Sequence, residues 1–578
     1  MLFYISLTVM SISFIVLCNL LAIIGLTVFA IKELIAFGHN GQRPRIVLFF
    51  TLLFLLILVG RWTSILVPYP LNPDESQMIA QAITFASKPI PWIHVDSASS
   101  GPLNSYFLMY SYVFGVTPNY VTSRIAVVII LFVSLLVVYI GMARFVKTTI
   151  ALWSVLIGGL FYSVCRTNDL LHYSSELLSV LLLSVGFTLV SSILVGKKKQ
   201  LYIGIIVLSM VPFAKLQAGV IAVSIVIIVV CLDLKLKRFN VEVKYVLSVL
   251  LSGLIFPLFV FVVLYVFDGL YDFKKSYLDF AFGYGNVSDM ISVFKRILMI
   301  ESVLGEAKAV FLMSILLSLG YLLSSVLVRI RYLRSDIDNS AFSSLGMLII
   351  VYFGASVFAI MKPGTGFGHY WHYIVIPFVW LVGYSSVFLR NYSIKGGVEC
   401  VILCAMFSVF GLGFLTVPTR FVCDLILIEN FRQREVVSII NTIKSPGDEI
   451  TVWGWDAGVH VETGLAAGTR DVVTVHAVPD SELAFPIIGL NKDQKKYYQD
   501  RFMRDFEHSM PAFFMDACAP GSFLLNSRTF GVERFSALWN LLNEYYSQVY
   551  GPGSQDQEGV RLWVRNDKVD ELVNSSVD

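Results

Sequence analysis

Apolar runs recur along the first 417 residues, most of them near the roughly 20 residues a helix needs to cross the hydrocarbon of a bilayer. Read this way, the pattern predicts about twelve spans: near 3–30, 46–67, 121–143, 148–165, 170–196, 200–213, 216–233, 242–267, 303–328, 341–361, 371–389 and 397–416. The runs 200–213 and 216–233 are short and are separated by a break from Pro212 to Lys215. The first run lacks a small-residue cleavage site and reads as a retained helix.

Two stretches depart from this rhythm. The connection 68–120 is long, and long ordered connections are commonly functional. Within it, Asn72-Pro73 followed by Met78, Ile79, Ala82, Ile83 and Phe85 predicts a capped amphipathic helix lying along the membrane interface. Leu103 to Phe114 is apolar and aromatic but too short to span, which predicts a second interfacial helix. After residue 417 hydropathy collapses. Strand-like runs (Glu449 to Trp455, Val472 to His476, Ala512 to Asp516, Val560 to Val564) alternate there with helical ones (Asp493 to His508, Arg534 to Tyr546). The expected organisation is a transmembrane domain over 1–417 and a small soluble α/β domain over 418–578.

Composition agrees: of 578 residues 56% are hydrophobic and 14% charged, with a mean hydropathy of +0.75. That is far more apolar than a soluble domain. A net charge of +3 without a basic patch argues against a nucleic-acid partner. Basic residues cluster in alternate loops instead, at Arg43 and Arg45, Arg144 and Lys147, Lys197 to Lys199, Lys235 to Arg238, Arg329 to Arg334, and Arg390 to Lys395. The positive-inside rule puts those loops in the cytoplasm. The loop 68–120, the Lys215 break, 362–370 and the C-terminal domain then face outward, with Lys274, Lys275, Lys295 and Arg296 as exceptions in the outer loop 268–302. The seven cysteines show no CxxC spacing, which argues against a zinc site; Cys423 and Cys518 are left open between a disulfide and two free thiols.

The polar motifs fall on that outer face. They are Asp74-Glu75, Gly101-Pro102-Leu103, Ser123-Arg124-Ile125, His172-Tyr173-Ser174-Ser175-Glu176, Phe213-Ala214-Lys215, Phe367-Gly368-His369-Tyr370 with Pro377, and Val452-Trp453-Gly454-Trp455 with Gly468-Thr469-Arg470. In order and sidedness the chain resembles the GT-C glycosyltransferases, in particular their bacterial protein-mannosyltransferase and aminoarabinose-transferase branch. The resemblance implies transfer of a sugar, usually with inversion, from a polyprenyl-phosphate carrier. The acceptor would be a glycan, lipid or protein outside the cytoplasm, at a bacterial cytoplasmic membrane. A transporter or flippase of lipid-linked saccharides is the alternative, since it too needs polar groups facing a bilayer cavity.

Such a transfer needs a base for the acceptor's proton and cations or donors for the phosphate. Asp74 and Glu75 are the catalytic candidates. Both also suit a first helical turn, where acids favour the macrodipole, and Glu75 stands at N3 behind an Asn72 cap. Asp74 is therefore expected as the base, with Glu75 as its capping or orienting partner. For the donor phosphate the candidates are Lys215, Arg124, Arg166, His369 and Tyr370; snorkelling to headgroups is the other reading of Lys215. Asp96, His172, Glu176 and His372 are candidates for an acceptor pocket, against a solvated loop for Asp96 and an ion pair with Arg166 or a lysine for Glu176. The C-terminal domain is expected to shape the acceptor side, and Trp453 and Trp455 are open between stacking on sugar and forming a core. No cofactor is called for. Asp74, Glu75, His94 and Asp96 fit no tight ligand spacing, and Asp336-Ile337-Asp338 falls in a cytoplasmic loop among arginines, so a divalent metal is possible but unsupported.

Overall fold

The computed structural model describes residues 2–40, 45–97, 100–235, 243–283, 305–331, 340–363, 365–391, 397–406, 412–480, 490–518, 525, 528–551 and 559–569. The Asp336-Ile337-Asp338 motif lies outside them. A helix forms at each expected span: Leu2–Asn40, Ile46–Leu66, Tyr120–Met142, Thr148–Val164, Ser175–Ser191, Lys198–Ala214, Gly219–Lys235, Val243–Val266, Gly305–Arg331, Ser340–Met361, His372–Asn391, and finally Gly397–Met406 with Leu412–Glu429. Seven of the helices among the described residues are long and apolar enough to cross a membrane. This is a helical, multi-pass membrane protein with a small sheet in its C-terminal region.

The chain divides into two compact units. The first comprises Met1–Val67, Arg124–Val260 and Asp289–Glu429 and holds the helical bundle. Its helices approach closely where small residues meet, the usual device in membranes, because lipid tails leave little hydrophobic drive between helices. A Cβ added at Gly60 would lie 2.5 Å from the Ser163 carbonyl oxygen, and one at Gly159 would lie 2.3 Å from a Leu53 methyl. Interruptions of the bundle helices are closed by buried arginines. Arg61 donates to the carbonyls of Tyr162, Leu170 and Leu171 at 3.0, 2.6 and 3.0 Å. Those carbonyls flank the break between Thr148–Val164 and the next span and would otherwise be orphaned helix-end acceptors in apolar surroundings. Arg124 closes the Ile46–Leu66 helix in the same way, through the carbonyls of Ser64 (2.9 Å) and Val67.

The second unit joins Pro68–Ser123, Phe261–Ser288 and Asn430–Asp578. Five strands, β1 (Glu449–Trp453), β2 (Ala466–Ala467), β3 (Phe513–Asp516), β4 (Tyr546–Tyr550) and β5 (Arg561–Arg565), form a sheet in the order β2-β1-β3-β5-β4. β1 runs parallel to β2 and β3, and β5 pairs antiparallel with β3 and β4. The period-2 alternation sends Val452 and Phe513 into one core with Val437 and Ile440, while Trp453 and Phe514 enter another with Phe502 and Phe506. Trp453 is fully buried and its indole N–H donates to the Phe530 carbonyl, so it is core rather than a sugar platform.

Val472 to His476 is a turn, not the expected strand, with Ala477 N donating to the Thr474 carbonyl at 2.8 Å and its valines buried. Alternation was absent at β2, which has two residues, and at β4, whose middle residues are all exposed. The Pro73–Phe85 helix is buried on nearly every side within the second unit, not laid along an interface by one face. The second expected helix is Pro102–Leu108 followed by a tighter turn, Met109–Phe114, which exposes Val113 and Phe114. Cys423 and Cys518 are free thiols.

Candidate functional site

The polar candidates form two clusters, one in each unit. In the second unit, the Pro73–Phe85 helix starts with Asn72 as cap, its side chain accepting from Asp74 N at 3.0 Å, and Pro73 at the first position where no N–H is needed. The adjacent acids then divide. Glu75 is fully buried; its Oε2 accepts from Leu71 N at 3.1 Å and its Oε1 from the Ser123 hydroxyl at 3.4 Å. It reaches back to the residue before the cap, Leu71. Ser76 is bonded to the Tyr120 hydroxyl at 2.9 Å. Asp74, between these committed neighbours, is half-buried, and its carboxylate has no hydrogen-bond or ion-pair partner among the described residues.

Asp96 is neither a solvated residue nor a free pocket lining. It is buried in an ion pair with Arg501 at 2.7 Å, and the same guanidinium holds Asp471. Burial pushes the Asp471 carboxyl up to about 6, against the pull of Arg501. Arg470 beside it pairs with Asp505 at 2.7 Å and with Asp272 at 2.9 Å.

In the first unit, Lys215 and Glu176, expected in different subsites, form one buried pair at 3.2 Å. The lysine sits in an extended residue between the Lys198–Ala214 and Gly219–Lys235 helices, where the chain break leaves its side chain free to turn inward. The ammonium also donates to the Ser175 hydroxyl at 2.8 Å and lies 5.9 Å from the centre of the Tyr370 ring. His172 is packed against His369, ring centres 5.9 Å apart, and His369 against Tyr370 at 4.8 Å. Asp169 holds the two segments together by accepting from Gly368 N at 2.9 Å. Gly368 must be glycine for this approach, because a Cβ there would lie 2.5 Å from the Asp169 carboxylate.

Buried polar atoms normally have partners. Here Glu176 Oε2, His172 Nε2, His369 Nδ1 and both ring nitrogens of His372 have none among the described residues. The cluster can therefore accept hydrogen bonds from, or donate them to, a polar group that enters it. Among the described residues no group of His, Cys, Asp and Glu is arranged to hold a metal ion. Arg124 has its guanidinium on the backbone carbonyls of Ser64 and Val67, and Arg166 is half-buried in the break after Cys165. Ser175 and Asp169 escaped sequence reasoning. Both stand within a few residues of His172 and Glu176, but nothing in a serine or a helix-start aspartate distinguishes them until the partner segment is known.

No protein-family model and no curated protein matches the chain. Among solved structures it is similar to ArnT from Cupriavidus metallidurans bound to undecaprenyl phosphate, with TM-score 0.52 and 10% identity over 90% of this chain and 97% of that one. ArnT in the apo state gives TM-score 0.50 and 11% identity over 89% of this chain and 97% of that one. The Archaeoglobus fulgidus oligosaccharyltransferase tethered with an acceptor peptide gives 0.43 and 11%, over 88% of this chain and 73% of that one. ArnT is a GT-C glycosyltransferase, and at 10–11% identity the likeness to it is one of fold: the chain has the GT-C fold.

Proposed function

We propose that the protein is an inverting glycosyltransferase that moves a sugar from a polyprenyl-phosphate-linked donor to a glycan, lipid or protein acceptor. The reaction would take place on the outer face of a bacterial cytoplasmic membrane. The observation that carries this reading is the carboxylate of Asp74, unpartnered among the described residues and set in a helix turn whose adjoining polar side chains at Asn72, Glu75 and Ser76 are all bonded. The GT-C fold and the undecaprenyl phosphate bound to ArnT support a lipid-phosphate donor.

In this reading Asp74 takes the proton of the acceptor hydroxyl as its oxygen attacks the anomeric carbon. The bond from that carbon to the phosphate oxygen breaks, and polyprenyl phosphate leaves. Inversion follows from a single displacement. Lys215, His172 and His369 receive the phosphate, supplying donors as charge develops on the leaving oxygen. Glu176 neutralises Lys215 while the site is empty, which keeps an otherwise isolated ammonium tolerable in apolar surroundings. We assign Arg124 to the helix end it closes and Asp96 to the Arg501 pair. Arg166 remains a candidate for the donor phosphate and His372 for the acceptor pocket.

The test is release of labelled sugar from synthetic polyprenyl-phosphate donors by the purified protein in vesicles. Transfer or release that depends on the protein supports the reading; donor that stays intact but crosses the vesicle membrane identifies a flippase instead.

A further inference from the structure

The C-terminal domain was expected to shape the acceptor side. The bonding within the second unit ties it to the helix that carries Asp74. Gln81, fully buried on the helix that carries Asp74 and two turns further along it, donates to the Asp96 carbonyl at 3.3 Å and accepts from the Ser105 hydroxyl at 2.7 Å. The Asp96 carboxylate is held by Arg501, and its N–H by the Arg470 carbonyl at 2.8 Å. Both arginines belong to the C-terminal domain, and Arg501 is itself fully buried, flanked by Tyr497 and Tyr498 and paired again with Asp471.

The far end of the same helix is fixed to the sheet. Ala467 of β2 lies on the sheet's edge; its N–H donates to the Thr84 hydroxyl at 3.0 Å, and its carbonyl accepts from Lys88 Nζ at 3.1 Å. Lys88 also pairs with Glu449 of β1 at 2.6 Å. An edge that would invite pairing is thereby closed by this helix and its extension. A second observation points the same way. Trp92, four residues before Asp96, has φ 62°, a conformation rarely adopted by a bulky residue, and its carbonyl accepts from Arg470. Strain of this kind persists only where the surroundings over-determine it, and it gathers at functional segments.

We infer that Arg501 is a positioning residue for Asp74, acting through Asp96 and Gln81, and that the C-terminal domain is the platform that aims the base. The inference rests on the reading of Asp74 given above. Helix placement matters because a displacement of about 1 Å at a reacting group can cost on the order of 100-fold in rate. The Lys215 cluster belongs wholly to the other unit, so donor affinity should not follow these changes.

The experiment compares Gln81→Met, Arg501→Lys and Asp74→Asn with the wild-type protein, measuring kcat, KM for a labelled polyprenyl-phosphate sugar, and the pH profile of kcat/KM. Gln81→Met and Arg501→Lys should lose roughly 10- to 100-fold in kcat, keep donor KM within about twofold, and shift the acid limb of the profile. A merely structural role would lower the yield of active protein without moving that limb. If Gln81→Met fails to fold, Arg501→Lys, which keeps the buried charge, supplies the same readout. An inactive Asp74→Asn beside wild-type kcat and pH profile in the folded positioning variants overturns this inference alone. An Asp74→Asn protein that turns over at the wild-type rate removes the base assignment, and the inference with it.

Discussion

Two adjacent carboxylates, Asp74 and Glu75, differ in what surrounds them, and that difference singles out Asp74 for the proposed chemistry. Glu75 replaces lost water with the Leu71 N–H and the Ser123 hydroxyl; the hydroxyl can turn to the Tyr120 carbonyl at 2.9 Å, so loss of Glu75 leaves the buried Leu71 N–H unsatisfied. Glu75→Leu should lower stability by about 1–3 kcal/mol, read as a lower midpoint of thermal unfolding in detergent. The Lys215–Glu176 pair obeys the stricter rule for buried charges. Lys215→Met strands a carboxylate and should cost about 3–5 kcal/mol. The double variant Lys215→Met with Glu176→Gln should recover most of that stability while leaving donor binding impaired. Equal stability of the single and double variants would contradict the pairing.

His476 provides a pH-dependent case outside the spans. Burial between the Phe280 and Tyr498 rings pushes its imidazole down to about 4. In the unfolded chain a histidine protonates near 6.5. The unfolded state therefore binds the extra proton first, and the stability associated with a neutral His476 is present above about 6.5 and lost as pH falls towards 4. His476→Phe removes that dependence. Its unfolding midpoint relative to the wild type should rise as pH is lowered through this window; a difference that is constant with pH would refute the assignment.

At the scale of elements, the spans were legible because a bilayer dictates both length and apolarity, and a helix answers each expected run. What that signal lacks is the packing between spans. Gly60 looks unremarkable in its run, yet it allows the Ile46–Leu66 and Thr148–Val164 helices to meet at Ser163. Gly60→Ala should destabilise the bundle by about 1–3 kcal/mol through overpacking, measurable by thermal unfolding in detergent. Gly320→Ala, where an added Cβ meets nothing within 4 Å among the described residues, is the control and should not lower the midpoint. The Pro73–Phe85 helix illustrates the converse. Its cap and apolar positions were readable, but its amphipathic pattern suggested an interface because the domain that buries it begins some 350 residues later in the chain.

For the whole molecule, the order of polar motifs along the chain conveyed the fold, whereas the pairings within each motif did not follow from it. Lys215 finds Glu176 across 39 positions, and Arg501 finds Asp96 across 405. Local periodicity has no access to separations of that kind, so Lys215 and Glu176 looked like members of different subsites, and Asp96 like a loop residue. The division into units shows the same limit. Sequence suggested a boundary near residue 417, while the compact second unit gathers the loop 68–123 with the C-terminal region. In the proposed reaction Asp74 removes the acceptor proton. Single-turnover transfer from a labelled polyprenyl-phosphate sugar, by wild type and by Asp74→Asn at saturating donor, tests it most directly. A general base contributes on the order of 10²- to 10⁴-fold, so Asp74→Asn should bind the donor with unchanged affinity and transfer sugar at least about 100-fold more slowly. Transfer by Asp74→Asn at the wild-type rate would contradict the claim.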